Sequence, residues 1–491
     1  MSVRELDRSA KAAGFKIMKQ DDPIYSEGPT ITFVNHRPQE SRKKKTYSTP
    51  VNFFISSSEP VKGKIGAKLR RMISKIDPGM FSYDWGTEFK DGLAEVKRNG
   101  KSGFVDKTGR EVVPLIYDWA SAFSEGLAKI KRNGQYGFVD SSGREAVPPR
   151  YDNVYDFKEG LGQVMRNKKY GFVDSAGNEV VPLIYDCAEC FHEGLAVVEQ
   201  DGKWGFIDKT GKEIVPPQYD DAEWFAEGLA YVKRNGKYGY VDRTGKEAVP
   251  PIYDDAEWFS GGRAFVKRNG KWGFIDTNAV DVTPPLYDYD GFVRFEEGLC
   301  CVSRDGKYGF INNSGKEVIT PTYDEAIGFS GGLATVQRRG RWGVINKKGK
   351  KVVPLIYDYI YPFKEGLAMV SLNGNWGFID DAGREVVAPS CESAWDFREG
   401  LANVKRGGSW GFVDKTGAEV LASIYGEAKN FNEGLAAVMR YGRWGFIDRT
   451  GKEAVPIIFE EVRGFCEGLA SVKLYGKWGF IRADGTLVEP G

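Results

Sequence analysis

Histidine is nearly missing from this chain: 491 residues contain only His36 and His192. That argues against a histidine-built metal or catalytic centre, which needs clustered imidazoles or an imidazole beside a nucleophile. Cysteine is sparse, with Cys187, Cys190, Cys300, Cys301, Cys391 and Cys466. Six thiols in a chain this long suit a reducing compartment and not a disulfide framework. Long apolar runs are absent: nothing approaches the roughly 18 residues of a membrane span, and residues 1–20 lack the apolar stretch of a signal peptide. The expectation is a cytoplasmic protein, although an effector exported without a cleaved signal would carry the same features. A net charge of +1 argues against a uniformly basic nucleic-acid binder. No nucleophile elbow, phosphate-binding Gly-Lys-Ser/Thr loop or paired-His motif occurs. Cys187-Ala188-Glu189-Cys190 has metal-like spacing but no second pair. No enzyme activity, metal or cofactor is expected.

Glycine is abundant, at 61 residues, and its placement is periodic. A Gly followed by an apolar or basic residue recurs at Gly92, Gly126, Gly160, Gly194, Gly228, Gly262, Gly298, Gly332, Gly366, Gly400, Gly434 and Gly468. Ten of the eleven intervals are 34 residues and one, from Gly262 to Gly298, is 36. Residues 81–491 are therefore twelve copies of one unit. The extra two residues fall between Tyr287 and Gly298.

Local chemistry makes the unit a β-meander. Asn235-Gly236 lies between two alternating runs, as do Asn99-Gly100, Asn133-Gly134, Asn269-Gly270 and Asn373-Gly374. Such a pair predicts a type I′ hairpin, which needs φ > 0 at both central residues. Asp242-Arg243-Thr244-Gly245 predicts a second turn with a left-handed glycine. In the sixth copy Ala279 replaces that glycine, and Asn278 is expected to take the strained position. Val-Pro-Pro is expected to end the third strand, because proline cannot donate to a ladder. A fourth strand follows if residues 222–225 are extended. In Lys203 to Asp208 both faces avoid charge, so the middle strand is expected to be covered on both sides, with Gly205 admitting an aromatic ring from the next copy.

These residues resemble a known family. Trp204-Gly205, Trp272-Gly273, Trp342-Gly343, Trp376-Gly377, Trp410-Gly411, Trp444-Gly445 and Trp478-Gly479 are similar to the WG (or KWG) repeat of bacterial proteins, with Tyr136, Tyr170, Tyr238 and Tyr308 as variants. Ser102 departs from the pattern in the first copy. The resemblance implies an all-β repeat array without a shared catalytic activity.

The fold class expected is all-β, with tandem 34-residue meanders closing into a propeller-like ring. The alternative is an open β-spiral or solenoid. An open array needs polar caps, and the twelfth copy is as regular as any interior one. Residues 1–80 lack the repeat and read as a small α+β module, with helices at 3–13 and 63–76 and strands at 30–35 and 51–56. This module has 16 basic and 8 acidic residues, whereas the array has a net charge of −7.

Charge supplies the candidate binding residues. In the module they are Arg42, Lys43, Lys44, Lys45, and the cationic amphipathic set Lys64, Lys68, Arg70, Arg71 and Lys75. In the array they are Lys97, Arg98, Lys131, Arg132, Lys233, Arg234, Lys267 and Arg268, which precede hairpin turns. Acidic Tyr-Asp-Asp-Ala-Glu segments recur elsewhere in the unit, so opposite placement would create one basic and one acidic rim. The function expected is a non-catalytic scaffold that engages a protein partner through many repeated edge surfaces. Nucleic-acid association through the basic module is one alternative. Carbohydrate binding by exposed Trp224, Trp258 and Trp395 is another.

Overall fold

The computed structural model describes residues 76–288 and 294–491, together with the backbone of Phe15–Met18, Thr30–Asn35 and Ile55–Ser56. Those three short segments pair into one antiparallel sheet. Apart from Ile76, the helices expected at 3–13 and 63–76 lie outside the described residues. So do Arg42 to Lys45, Lys64, Lys68, Arg70, Arg71 and Lys75.

The repeats form twelve small antiparallel sheets, the blades of a closed ring. Eleven blades have four strands in sequence order. Blade 5 is typical, with strands Asp221–Ala222, Leu229–Arg234, Lys237–Asp242 and Glu247–Tyr253. Both turn expectations hold: Asn235 and Gly236 have φ of 53° and 75°, and Gly245 has φ of 83°. The sixth copy differs from expectation, because Ala279 itself takes φ of 62° and Asn278 stays outside the left-handed region. The turn geometry is fixed by the Asp276 carboxylate, which accepts from the amides of Asn278 and Val280, so the strain falls on whichever residue stands at the glycine position. Blade 6 is three-stranded; its residues 281–287 keep only bridges at Ile275–Asp281 and Trp272–Tyr287.

Proline does not end the last strand, contrary to the sequence reading. Glu213–Tyr219 runs through Pro216 and Pro217. Its partners jump from Phe206↔Val215 to Trp204↔Tyr219, so residues 216–218 bulge opposite the single residue Gly205. This is an edge strand at a bulge, where the missing proline donors cost nothing. The same bulge explains the glycine. A Cβ on Gly205 would lie 2.4 Å from the Val215 carbonyl oxygen and 2.7 Å from the Pro217 nitrogen. The strand's own neighbour crosses there, and not an aromatic ring from the next copy.

The core lies between blades. Leu195, Phe206 and Val215 of blade 4 cluster with Ala222, Phe225 and Val232 of blade 5. Within that layer Phe206 meets Phe225 edge to face, with centroids 5.0 Å apart. The pattern recurs at Phe138–Phe157, Phe172–Phe191, Phe310–Phe329 and Phe412–Phe431.

Blades 12 and 1 meet through the same contacts, which closes the ring and sets aside the open spiral. Phe480 packs edge-on against Phe89 at 4.9 Å. The Gly92 amide donates to Glu467 at 2.9 Å, just as Gly228 donates to Glu193 at 2.9 Å. Lys477 pairs with Asp84, as Lys203 pairs with Asp220. The fourth strand of blade 12 is shared between the two ends of the array. Leu487–Val488 pairs with Ile481 and Phe480, while Tyr83 pairs with Trp478. Met80 and Phe81 then cover Gly479, where other blades use their own bulge.

Candidate functional site

Twelve copies of one unit show which positions the fold requires and which it leaves free. The aromatic-Gly-Phe strand, the turn glycines and the Tyr-Asp pair recur because packing needs them. The Glu of the Glu-Gly turn recurs for the same reason. Glu125, Glu365 and Glu433 each accept from two consecutive backbone amides of the following blade's turn.

The arginines before most hairpins belong to this fixed set, whereas the residue preceding each of them varies from copy to copy. Arg234 pairs with Glu247 at 2.6 Å and lies over the Tyr219 ring at 4.5 Å. Arg98, Arg132 and Arg268 repeat the arrangement with Glu111, Glu145 and Asp281, over Tyr83, Tyr117 and Tyr253. Burial and the hydrogen bond to Glu247 push the Tyr219 hydroxyl up to about 12. Lys97, Lys131, Lys233 and Lys267 lie over Trp85, Tyr136, Tyr238 and Trp272 at 5.3, 4.7, 4.8 and 5.8 Å. The aspartate of Tyr-Asp meets the same edge. Asp220 accepts from the Asn235 amide at 2.7 Å and from Lys203 at 2.6 Å, and the Lys203 hydrogen bond holds its carboxyl below the usual range. Acidic and basic repeats therefore share one edge, and the two rims of opposite sign do not form.

Five positions per copy vary freely. In blade 5 they are Asp221, Glu223, Trp224, Tyr231 and Lys233. Register brings them together: Asp221 stands opposite Lys233, and the Glu223 amide donates to the Tyr231 carbonyl at 3.2 Å. The equivalents in blade 2 are Trp119, Ser121, Ala122, Lys129 and Lys131; in blade 9 they are Tyr359, Tyr361, Pro362, Met369 and Ser371. Contacts continue from blade to blade. Trp342 meets Tyr359 at 5.4 Å, and Arg463 lies between Trp85 and Trp478 at 5.6 and 5.3 Å.

The face is divided by chemistry. Blades 4 to 6 carry Glu189, Asp221, Glu223, Asp255 and Glu257. Burial, then Glu189 and Asp221, pushes the Glu223 carboxyl up to about 7, and its Oε2 is buried without a partner. Trp224 and Trp258 stack on each other at 5.7 Å, and His192 stacks on Trp224 at 5.2 Å, so both indoles are half-buried. Trp395 in blade 10 is 56% exposed and Trp119 in blade 2 is 38% exposed. Trp119 was not singled out from the sequence. The signal that would have found it is disagreement among copies at one register position. Among the described residues no three metal-ligating side chains cluster.

No curated protein matches the chain. Solved structures give distant likenesses. A eukaryotic initiation factor shares 12% identity, with 61% of this chain and 95% of that one covered, at a TM-score of 0.32. The extracellular domain of a putative one-component system from B. thetaiotaomicron shares 9%, with 96% and 83% covered, at 0.23. The model of the WG containing repeat matches twelve successive segments, from 81–101 to 444–478. With most of its length matched in this way, the chain belongs to the WG repeat family.

Proposed function

We propose that this ring is a non-catalytic scaffold that binds a protein partner through the face on which its twelve copies differ. The observation that supports this is the pattern of divergence. Positions the blades need for packing repeat, while five register-linked positions carry acids across blades 4 to 6, mixed charges in blades 11, 12 and 1, and exposed rings at Trp119 and Trp395. A folded protein can meet several blades at once, so weak contacts add through effective concentration. The arginines before the hairpins contribute rigidity in this reading, because Arg98, Arg132, Arg234 and Arg268 are held in ion pairs. Residues 1–80 direct or tether the complex through their basic charge.

The test is capture from native lysate by the full-length protein, with and without nuclease. One comparison chain carries Arg42→Gln, Lys43→Gln, Lys44→Gln and Lys45→Gln. A second carries Trp395→Ala with Glu223→Gln. A protein partner that survives nuclease and is lost only with the second chain supports the scaffold. Retention that disappears with nuclease or with the first chain refutes it and assigns binding to nucleic acid through the basic segment.

A further inference from the structure

Blades 2 and 3 differ from the others in one respect that creates a groove. Their first strands, Trp119–Ser124 and Asn153–Lys158, run six residues, whereas blades 4 and 5 have two-residue first strands. Between them lies a groove of about 750 Å³. One position distinguishes this lining from blades 5 and 6. In blade 5 the third residue of the second strand is Tyr231, which packs on Tyr238 at 5.9 Å, and in blade 6 it is Phe265, stacked on Trp272 at 4.9 Å. Blade 2 has Lys129 there, turned aside to pair with Asp156 at 2.8 Å.

The lining alternates rings and hydrogen-bonding groups. Trp119 stands edge-on to Tyr136 at 6.3 Å and remains partly exposed, and Tyr155 of blade 3 also lines the groove. Asn153 donates to the Tyr155 hydroxyl at 3.2 Å. Most charges in and around the groove are paired: Lys129 with Asp156 and Asp118 with Lys101 at 2.5 Å, which leaves Lys131, held over the Tyr136 ring, as one unbalanced cation. A phosphate or polyanion would find only Lys131 of this lining outside an ion pair, with the Asp118 carboxylate in the same lining. A ligand with flat C–H faces and hydroxyls that both donate and accept fits the rings, the amide, the ammonium groups and the carboxylate together. We propose that the groove between blades 2 and 3 is a binding site for a neutral oligosaccharide. The groove lies on the variable face of the protein-scaffold reading, and sugar binding measured with the purified chain is read separately from capture of a protein partner.

Titration calorimetry and tryptophan fluorescence of the full chain test it. The probes are neutral hexasaccharides of β-glucose, β-N-acetylglucosamine, β-xylose and α-mannose, with heparin and an acidic peptide as the competing classes. At least one neutral series should bind, weaken as the oligomer shortens and be insensitive to salt. Trp119→Ala and Asn153→Ala should each weaken binding about tenfold, the effect of roughly 1.4 kcal/mol, while Ile252→Ala on an exposed fourth strand leaves it unchanged. The unfolding midpoint of each variant, measured alongside, separates lost binding from lost folding, since Asn153 also bonds to Tyr155 and the Val154 amide. Absence of binding across the neutral panel overturns the proposal. So does unchanged binding by both variants, or a preference for heparin or the peptide.

Discussion

Replacing Phe480 by Ala asks whether the junction of blades 12 and 1 is equivalent to an interior one. Phe206 and Phe480 are both buried, at 0% and 3% exposure. Each meets its partner ring edge to face, at 5.0 and 4.9 Å, within an apolar cluster that spans two blades. Removing such a buried ring costs about 3–5 kcal/mol through lost burial and the cavity left behind. In a ring both substitutions break one of twelve equivalent interfaces, so Phe206→Ala and Phe480→Ala should lower stability by the same amount within about 1 kcal/mol. In an open array the terminal interface would hold only an end repeat, because repeats there contact only their neighbours. Guanidinium unfolding followed by fluorescence, together with amide exchange of blades 1 and 12, separates the cases. A Phe480→Ala protein whose main transition is unmoved, with exchange confined to residues 83–106 and 461–488, would refute the closure argument.

Three further outcomes follow from the turns, the bulges and the acidic sector. Ala279→Gly should raise stability by about 1 kcal/mol in thermal melts, because it removes a Cβ from a left-handed position. Gly205→Ala should lower stability by about 2–3 kcal/mol, since the new Cβ meets main-chain atoms of the bulge, whereas Gly202→Ala has open space and pays only for its positive φ. Glu223→Gln should stabilise the protein at pH 8 by on the order of 1 kcal/mol, with the gain fading as pH falls from 7 towards 4.5. The sign follows because the folded-state value is raised: the native protein holds a proton that the unfolded chain has lost in that window, so stability falls as pH rises through it. A pH-independent difference between the two proteins would contradict the burial of this carboxyl.

The repeat and its turns were legible because they rest on local chemistry. Asn235-Gly236 and Gly245 are dictated by φ alone, and the 34-residue spacing needs no tertiary knowledge. Closure could be anticipated from the regular twelfth copy, but not the way Tyr83 completes the strand begun by Leu487–Val488, which depends on pairing between the chain's distant ends. The proline strand was misread because Pro216 looks like a stop signal until a bulge and an edge are known. Charge misled in a similar way. Lys233-Arg234 looked available in sequence, yet Glu247, Tyr219 and Tyr238 sit within reach once the strands align. The variable face was present in the sequence as disagreement among copies, but only the register of Asp221 with Lys233 shows that those positions share a surface.

The central claim is that a protein partner docks across several blades of the variable face. Photo-crosslinking residues placed singly at Trp119, Glu223 and Trp395, and at Ile252 and Ile424 of the fourth strands, test it in native lysate after nuclease treatment. The account predicts adducts to the same protein from variable-face positions on different blades, and none from the fourth-strand positions. Adducts confined to Ile252 and Ile424, or a different protein from every position, would contradict it.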